Sequence, residues 1–146
     1  MPPELGWIPG EEVCLKLAGR READAEKGYV PALHFAVCLP DGREVGCCDL
    51  RLGHNENTYY GGNIGYEIRP EYRGHHYAAK ACRLLFGLAR QLGMERLIIT
   101  CSPENAASRK TCEAAGCTLK TVAALPPGQE MYREGQREKC IYSIDL

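Results

Sequence analysis

Arg73-Gly74-His75-His76-Tyr77-Ala78 joins a short apolar stretch, Ile64 to Ile68, to a long stretch with apolar residues at helical spacing. A strand that ends where a helix begins gathers anion chemistry at one point. The first four amides of a helix have no internal partner, and the helix dipole adds partial positive charge. Such an end suits phosphate. Arg73 adds a fixed cation, and Gly74, with no Cβ, lets a ligand approach the backbone closely. The plainer alternative is a tight turn with a solvent-facing arginine. His75 and His76 are adjacent, so their side chains point in different directions. Together with nearby cysteines they make only a weak case for a metal-binding protein.

The elements that must position this junction follow from pattern. Ala78, Ala81, Cys82, Leu85, Ala89 and Leu92 fall on one helical face, and Gly93 stands where a helix often ends in a left-handed residue. Before the junction, Val13 to Leu17 suits a first strand and Arg20 to Lys27 a short charged helix. Ala32 to Cys38 and Glu44 to Leu52 read as a hairpin about Pro40-Asp41-Gly42. His54 to Asn63 is polar and reads as a loop, followed by the strand Ile64 to Ile68, which Pro70 ends. After the long helix, Leu97 to Cys101 is a continuous apolar run that suits a strand buried on both faces. Asn105 to Ala115 reads as a second helix, with Asn105 as N-cap and Gly116 as terminator. Cys117 to Leu125 and Cys140 to Ile144 read as late strands about a loop from Pro126 to Lys139. This order gives an α/β fold: a mixed sheet with a parallel pair around the long helix.

Composition narrows the function classes. The chain has 146 residues, which suits one domain over residues 1–146. A net charge of −1 gives no global electrostatic case for nucleic acid or an anionic membrane surface. No apolar run approaches the roughly 20 residues of a membrane helix. Met1-Pro2-Pro3-Glu4 lacks the basic start of a signal peptide, so the cytoplasm is the expected location. Nine cysteines form an odd count with no C-x-x-C. Cys38, Cys82, Cys101 and Cys117 lie in apolar stretches, and most of the nine are expected to behave as small buried hydrophobes in a reducing compartment. No metal cofactor is expected.

The junction and a second stretch resemble the GNAT N-acetyltransferase superfamily. That family opens its central helix with Arg or Gln, two residues, Gly, one residue, then Gly or Ala. Here Arg73 and Ala78 match, and His76 stands at the glycine position. Asn105 and Ser108, followed by Glu113 and Gly116, resemble the second motif, with Cys117 where an aromatic residue is usual. Within the superfamily the chain looks most like a bacterial group of uncharacterised predicted acetyltransferases.

The resemblance implies a GNAT-like fold, mostly antiparallel, with splayed parallel central strands and flanking helices. It implies acetyl-CoA as co-substrate and an amine as acceptor. Amides of Gly74, His75, His76, Tyr77 and Ala78, with Arg73, would take the pyrophosphate. Backbone groups near Tyr66 and Ile68 would pair with the pantetheine arm between Ile64–Ile68 and Leu97–Cys101. Asn105 and Ser108 would face the arm from the other side. Acetyl transfer would be direct, with Glu67 as base. The family's tyrosine acid falls seven residues after the motif asparagine, where this chain has Cys112. Tyr142 is the fallback acid. Packing is the plainer role for Cys112 and Tyr142, and a surface ion pair for Glu67. The early helix, the His54–Asn63 loop and the Pro126–Lys139 loop would line the acceptor site, where Tyr59 and Tyr60 could cover a ligand. Their charges are mixed, so a small amine, an amino acid and a protein N-terminus all stay open. So do a homodimer and the rival of a catalytically silent acyl-CoA-binding module.

Overall fold

A computed structural model describes residues 6–146, and the N-terminal reading at Met1–Glu4 lies outside the described residues. Five strands form one antiparallel sheet: β1 (Trp7–Ile8), β2 (Cys14–Arg21), β3 (Ala32–Cys38), β4 (Glu44–Arg51) and β5 (Ile64–Ile68), in that order. Three more form a second sheet: β6 (Arg96–Cys101), β7 (Thr118–Ala124) and β8 (Glu138–Asp145), with β8 in the middle. The helices are α1 (Glu56–Gly61), α2 (Tyr77–Gln91), α3 (Ala106–Ala114) and the single turn α4 (Glu130–Arg133). Among the described residues no helix is long and apolar enough to cross a membrane.

Strand alternation makes the core. Leu15, Leu33, Phe35, Val37, Cys48 and Leu50 are buried on one face of the first sheet. The apolar stripe of α2, with Ala81, Cys82, Leu85 and Ala89, is buried with them in a single cluster. Leu97, Ile99 and Tyr142 extend that cluster into the second sheet. Gly93 ends α2 at φ 86°, and the Met94 amide reaches back to the Ala89 carbonyl, as a left-handed C-cap requires. Leu92 sits at the helix end and is exposed instead of packed.

Three local readings need correction. Arg20 to Lys27 is not a helix. β2 runs to Arg21, and the Asp24 carboxylate then accepts the Glu26 and Lys27 amides. That side chain offers the backbone a turn in place of helical bonds, and an Asp24–Tyr29 bridge closes it. His54 to Asn63 is not all loop: Asn55 and Thr58 form a reciprocal capping box that starts α1. The Pro126–Lys139 segment likewise contains α4, capped by Gln129. The two-residue β1 was not expected from the sequence.

What positions the site is the relation of β5 to β6. They share no ladder. They meet at one point, where the Asn63 amide donates to the Ile98 carbonyl (2.6 Å) and the Ile98 amide donates to Asn63 Oδ1 (2.9 Å). Gly62, at φ 83°, allows that approach, since a Cβ there would lie 3.2 Å from the Ile98 carbonyl oxygen. The ladder with β4 leaves one edge of β5 open: Asn63 accepts from Arg51 and Arg69 donates to Val45, so the odd-numbered residues face β4. By alternation, backbone groups of Ile64, Tyr66 and Ile68 face the gap.

Candidate functional site

The loop after β5 is shaped by backbone hand. Pro70–Tyr72 makes one 3₁₀ turn, Arg73 is extended, and Gly74 has φ 93°. His76 has φ 61° and ψ 26°, and is the sole non-glycine residue with positive φ among the described residues. An ordinary helix-start conformation at His76 would have carried no backbone strain. The left-handed one costs about 1–2 kcal/mol for a residue with a Cβ. It is also why glycine suits the position. Positive φ at Gly74 and His76 alternates with negative φ at Arg73 and His75, the kind of alternation that anion-binding nests use. α2 starts at Tyr77, and no side chain caps its first turn.

The two histidines do different things. His75 turns back: its Nδ1 lies 3.2 Å from the Tyr72 carbonyl, and its ring stacks on Tyr77 with centroids 5.0 Å apart. Lys80 donates to the His75 carbonyl (3.2 Å) and pairs with Glu12, which fastens the loop to the chain before β2. His76 instead lines the cleft. Arg73 is tethered too, with its Nε donating to the gap-facing Ile68 carbonyl at 2.9 Å. The guanidinium is thereby held at the end of β5.

The opposite wall is α3. Asn105 Oδ1 accepts the Ser108 amide at 3.1 Å and caps the helix. Tyr66 crosses from β5, and its hydroxyl lies 2.6 Å from Ser108 Oγ. An Arg83 guanidinium bonded to the Ala114 carbonyl ties α2 to α3. Between the walls lies a cleft of about 500 Å³. That volume is ordinary for a ligand pocket.

The cleft brings together Tyr66, Glu67, Ile68, Arg73, Gly74, His76, Tyr77, Ala78, Asn105 and Ser108. His75, Cys112 and Tyr142 are not in its lining. Cys112 is fully buried behind Ser108. Tyr142 is a core residue whose hydroxyl donates to Glu113 and accepts from Arg109, both at 3.3 Å. Glu67 is exposed at the cleft edge. Sequence reasoning missed Tyr72, Ala107, Lys110 and Thr111 in the lining. Thr111 is readable afterwards, being one helical turn from Ser108.

Burial holds the Tyr66 phenol well above its ordinary range, against the opposing pull of its Ser108 hydrogen bond. The neighbouring Cys101 and Cys112 shift each other in opposite directions, with the Cys101 thiol lowered and Cys112 raised. All nine cysteines are free, and only Cys47 is exposed. Among the described residues no three His, Cys, Asp or Glu side chains converge as a metal site.

A second cleft, about 870 Å³, opens where three segments meet. Arg21 comes from the end of β2, Glu26 and Lys27 from the turn after it, Glu56 and Asn57 from α1, and Glu130 and Arg133 from α4. Arg51 lies at its wall, ion-paired to Asp49 at 2.9 Å and donating to the Gly61 and Gly62 carbonyls. These are the segments expected to line an acceptor site. Tyr59 and Tyr60 pack edge to face against each other and do not line it.

The same fold occurs in solved acetyltransferases. A Vibrio cholerae chain, provisionally assigned as a ribosomal-protein-serine acetyltransferase, superposes with TM-score 0.68 over 100% of both chains at 18% identity. RimL, a ribosomal L7/L12 alpha-N-protein acetyltransferase in complex with coenzyme A, gives TM-score 0.67 at 15% identity over 96% of this chain and 98% of its own. At these identities the likeness concerns the fold, which is that of an acetyltransferase. A family model described as an Acetyltransferase (GNAT) domain matches residues 5–118, a span that contains both walls of the first cleft. The chain belongs to the GNAT acetyltransferase family. It is 29% identical over 101 residues to the uncharacterized N-acetyltransferase YnaD of Bacillus subtilis (strain 168), over 64% of this chain and 49% of YnaD. The chain thus spans about half the length of that curated relative.

Proposed function

We propose that the chain is a single-domain N-acetyltransferase that moves an acetyl group from acetyl-CoA to a primary amine by direct attack. One observation carries this reading. The gap-facing edge of β5, the left-handed turn at Gly74 and His76, and the capped start of α3 surround one cleft. Its donors fit the donor molecule part by part. The uncapped start of α2, the positive-φ turn before it and the tethered Arg73 suit a pyrophosphate. The open edge at Tyr66, next to the Ile68 carbonyl that Arg73 holds, suits an extended arm bearing amides. RimL is solved with coenzyme A, and a microcin C7 self-immunity acetyltransferase, MccE, with acetyl-CoA and AMP (TM-score 0.60, 23% identity, 79% of this chain and 61% of its own).

The chemistry then divides among this chain's groups. A backbone N–H from β5 stabilises charge as it develops on the thioester oxygen. Glu67 takes the amine proton, directly or through water. Much of the rate comes from holding the two reactants in line. The amine enters from the second cleft, whose mixed charges suit a small or zwitterionic acceptor, including an amino acid or a peptide N-terminus. The spermidine N-acetyltransferase of Vibrio cholerae, solved with coenzyme A and spermine, is one acceptor precedent within the fold (TM-score 0.60, 13% identity, 78% of this chain and 65% of its own).

The test is calorimetry with acetyl-CoA, then a panel of amines with coenzyme A release and product followed by mass. Micromolar binding and an acetylated amine are expected. Binding without release on any amine would leave a silent acyl-CoA-binding module, and no binding would remove the reading.

A further inference from the structure

Direct transfer releases a thiolate, and neither residue expected to protonate it can do so. Cys112 stands at the position expected for the acid and is sealed in the core, and the Tyr142 hydroxyl is spent between Arg109 and Glu113. The phenol that does reach the cleft comes from the other wall. Tyr66 is half-buried on β5, lines the cleft, and places its hydroxyl 2.6 Å from Ser108 Oγ and, in a long contact, 3.4 Å from the Ser108 carbonyl, one turn of α3 before Cys112.

We propose that the Tyr66 hydroxyl is the proton donor to the leaving thiolate, with Ser108 as the residue that positions it. The proposal rests on the acetyltransferase reading above. The amine nitrogen bonds to the acetyl carbon, and its surplus proton goes to Glu67. The C–S bond breaks with its electron pair passing to sulfur. Sulfur takes the Tyr66 proton, and the phenolate recovers one from solvent as coenzyme A leaves. Burial disfavours the phenolate, and the Ser108 hydrogen bond opposes that cost, so donation to sulfur depends on Ser108. The Ser108 hydroxyl can donate to the phenolate oxygen at 2.6 Å while that charge exists. No alternative phenol or imidazole is required: Tyr72 and Tyr77 lie at the pyrophosphate end of the same cleft, and His76 lies within the anion loop.

The test compares two ligands that differ only in the thiol. Calorimetry measures coenzyme A and desulfo-coenzyme A on the full-length chain, with Tyr66→Phe and Ser108→Ala. One hydrogen bond to sulfur predicts that the wild type prefers coenzyme A by about 10-fold. Tyr66→Phe should abolish that preference while leaving desulfo-coenzyme A binding unchanged. Its coenzyme A release with amine should fall about 100-fold or more, as for loss of a general acid. Ser108→Ala should lower the preference partway, and it serves as the deciding variant if Tyr66→Phe does not fold. An unchanged preference in the variants, or equal weakening of both ligands, overturns the proposal and leaves the acetyltransferase reading standing. Failure of the wild type to bind either ligand overturns both.

Discussion

The two clefts are built from different materials. The first is set by backbone geometry at three places: positive φ at Gly74 and His76, the edge of β5 that faces away from β4, and a capped helix start. The second is made of side chains, with Arg21, Lys27 and Arg133 set among Glu26, Glu56 and Glu130. Backbone is fixed by the fold, so on the reading proposed above the first cleft asks for one kind of ligand. Long charged side chains on turns and short helices are adjustable, and their signs cancel. A family can therefore keep one donor and change acceptors by changing loops. The same difference makes the donor inferable from the chain and leaves the acceptor only bounded.

The largest expected effect comes from the residue that stands at the edge of the first cleft and would serve the amine. Glu67→Gln should lower turnover about 100-fold or more, with acetyl-CoA affinity within about twofold. Steady-state rates and calorimetry on the same preparation check it. Unchanged turnover would remove Glu67 as the base. A parallel loss of affinity would make it part of the donor site and blur the division between clefts.

Arg73→Ala comes next. Its guanidinium is both a charge for the pyrophosphate and, through Nε, a tether to Ile68. Loss of both roles should weaken acetyl-CoA binding by about 1–3 kcal/mol. Unchanged affinity by calorimetry would displace the pyrophosphate from this loop. Gly74→Ala should weaken binding by a smaller amount, about 1–2 kcal/mol, because alanine at φ 93° either strains the loop or flips it and re-aims its amides. The same substitution at Gly128, which no neighbouring atom crowds and which keeps a negative φ, should leave donor binding alone.

The fold was legible where a pattern repeats. The α2 stripe, the β3–β4 hairpin and the apolar run of β6 each carry several residues that agree. It was hidden where one side chain decides. Asp24 turned a charged, helix-like stretch into a tight turn, and Asn55 with Thr58 turned a polar loop into a helix. The cleft was legible because its two walls follow two motifs joined by one strand. Two of its features were not. The left-handed backbone of His76 is a dihedral, which no residue name declares. The Tyr66–Ser108 contact spans 42 positions, beyond any local pattern. Tyr66 was expected to contribute its backbone, and it also brings a hydroxyl.

His76 offers a milder probe of the first cleft. Because its backbone already sits at φ 61°, His76→Gly removes a steric cost and adds unfolded-chain entropy. The net should be a gain of about 0.5–1 kcal/mol in stability, read as a higher denaturation midpoint, with acetyl-CoA affinity kept. A stability loss would mean that the imidazole makes contacts worth more than the strain. A selective loss of acetyl-CoA affinity would mean that the ring, and not only the amide, holds the donor.

The smallest effects belong to the second cleft. Lys27 is exposed on the turn after β2 and lies near the Tyr29 ring, 6.0 Å from its centroid. A solvated cation of this kind contributes little by itself, so Lys27→Gln should change the acceptor KM by no more than about 0.5 kcal/mol, and donor affinity not at all. Raising salt should shrink even that difference, since the charge is screened within about 10 Å at 0.1 M. A tenfold rise in KM for one acceptor class would be informative in the other direction. It would show that the mixed lining conceals a specific anion contact, and that the second cleft selects its ligand as strictly as the first.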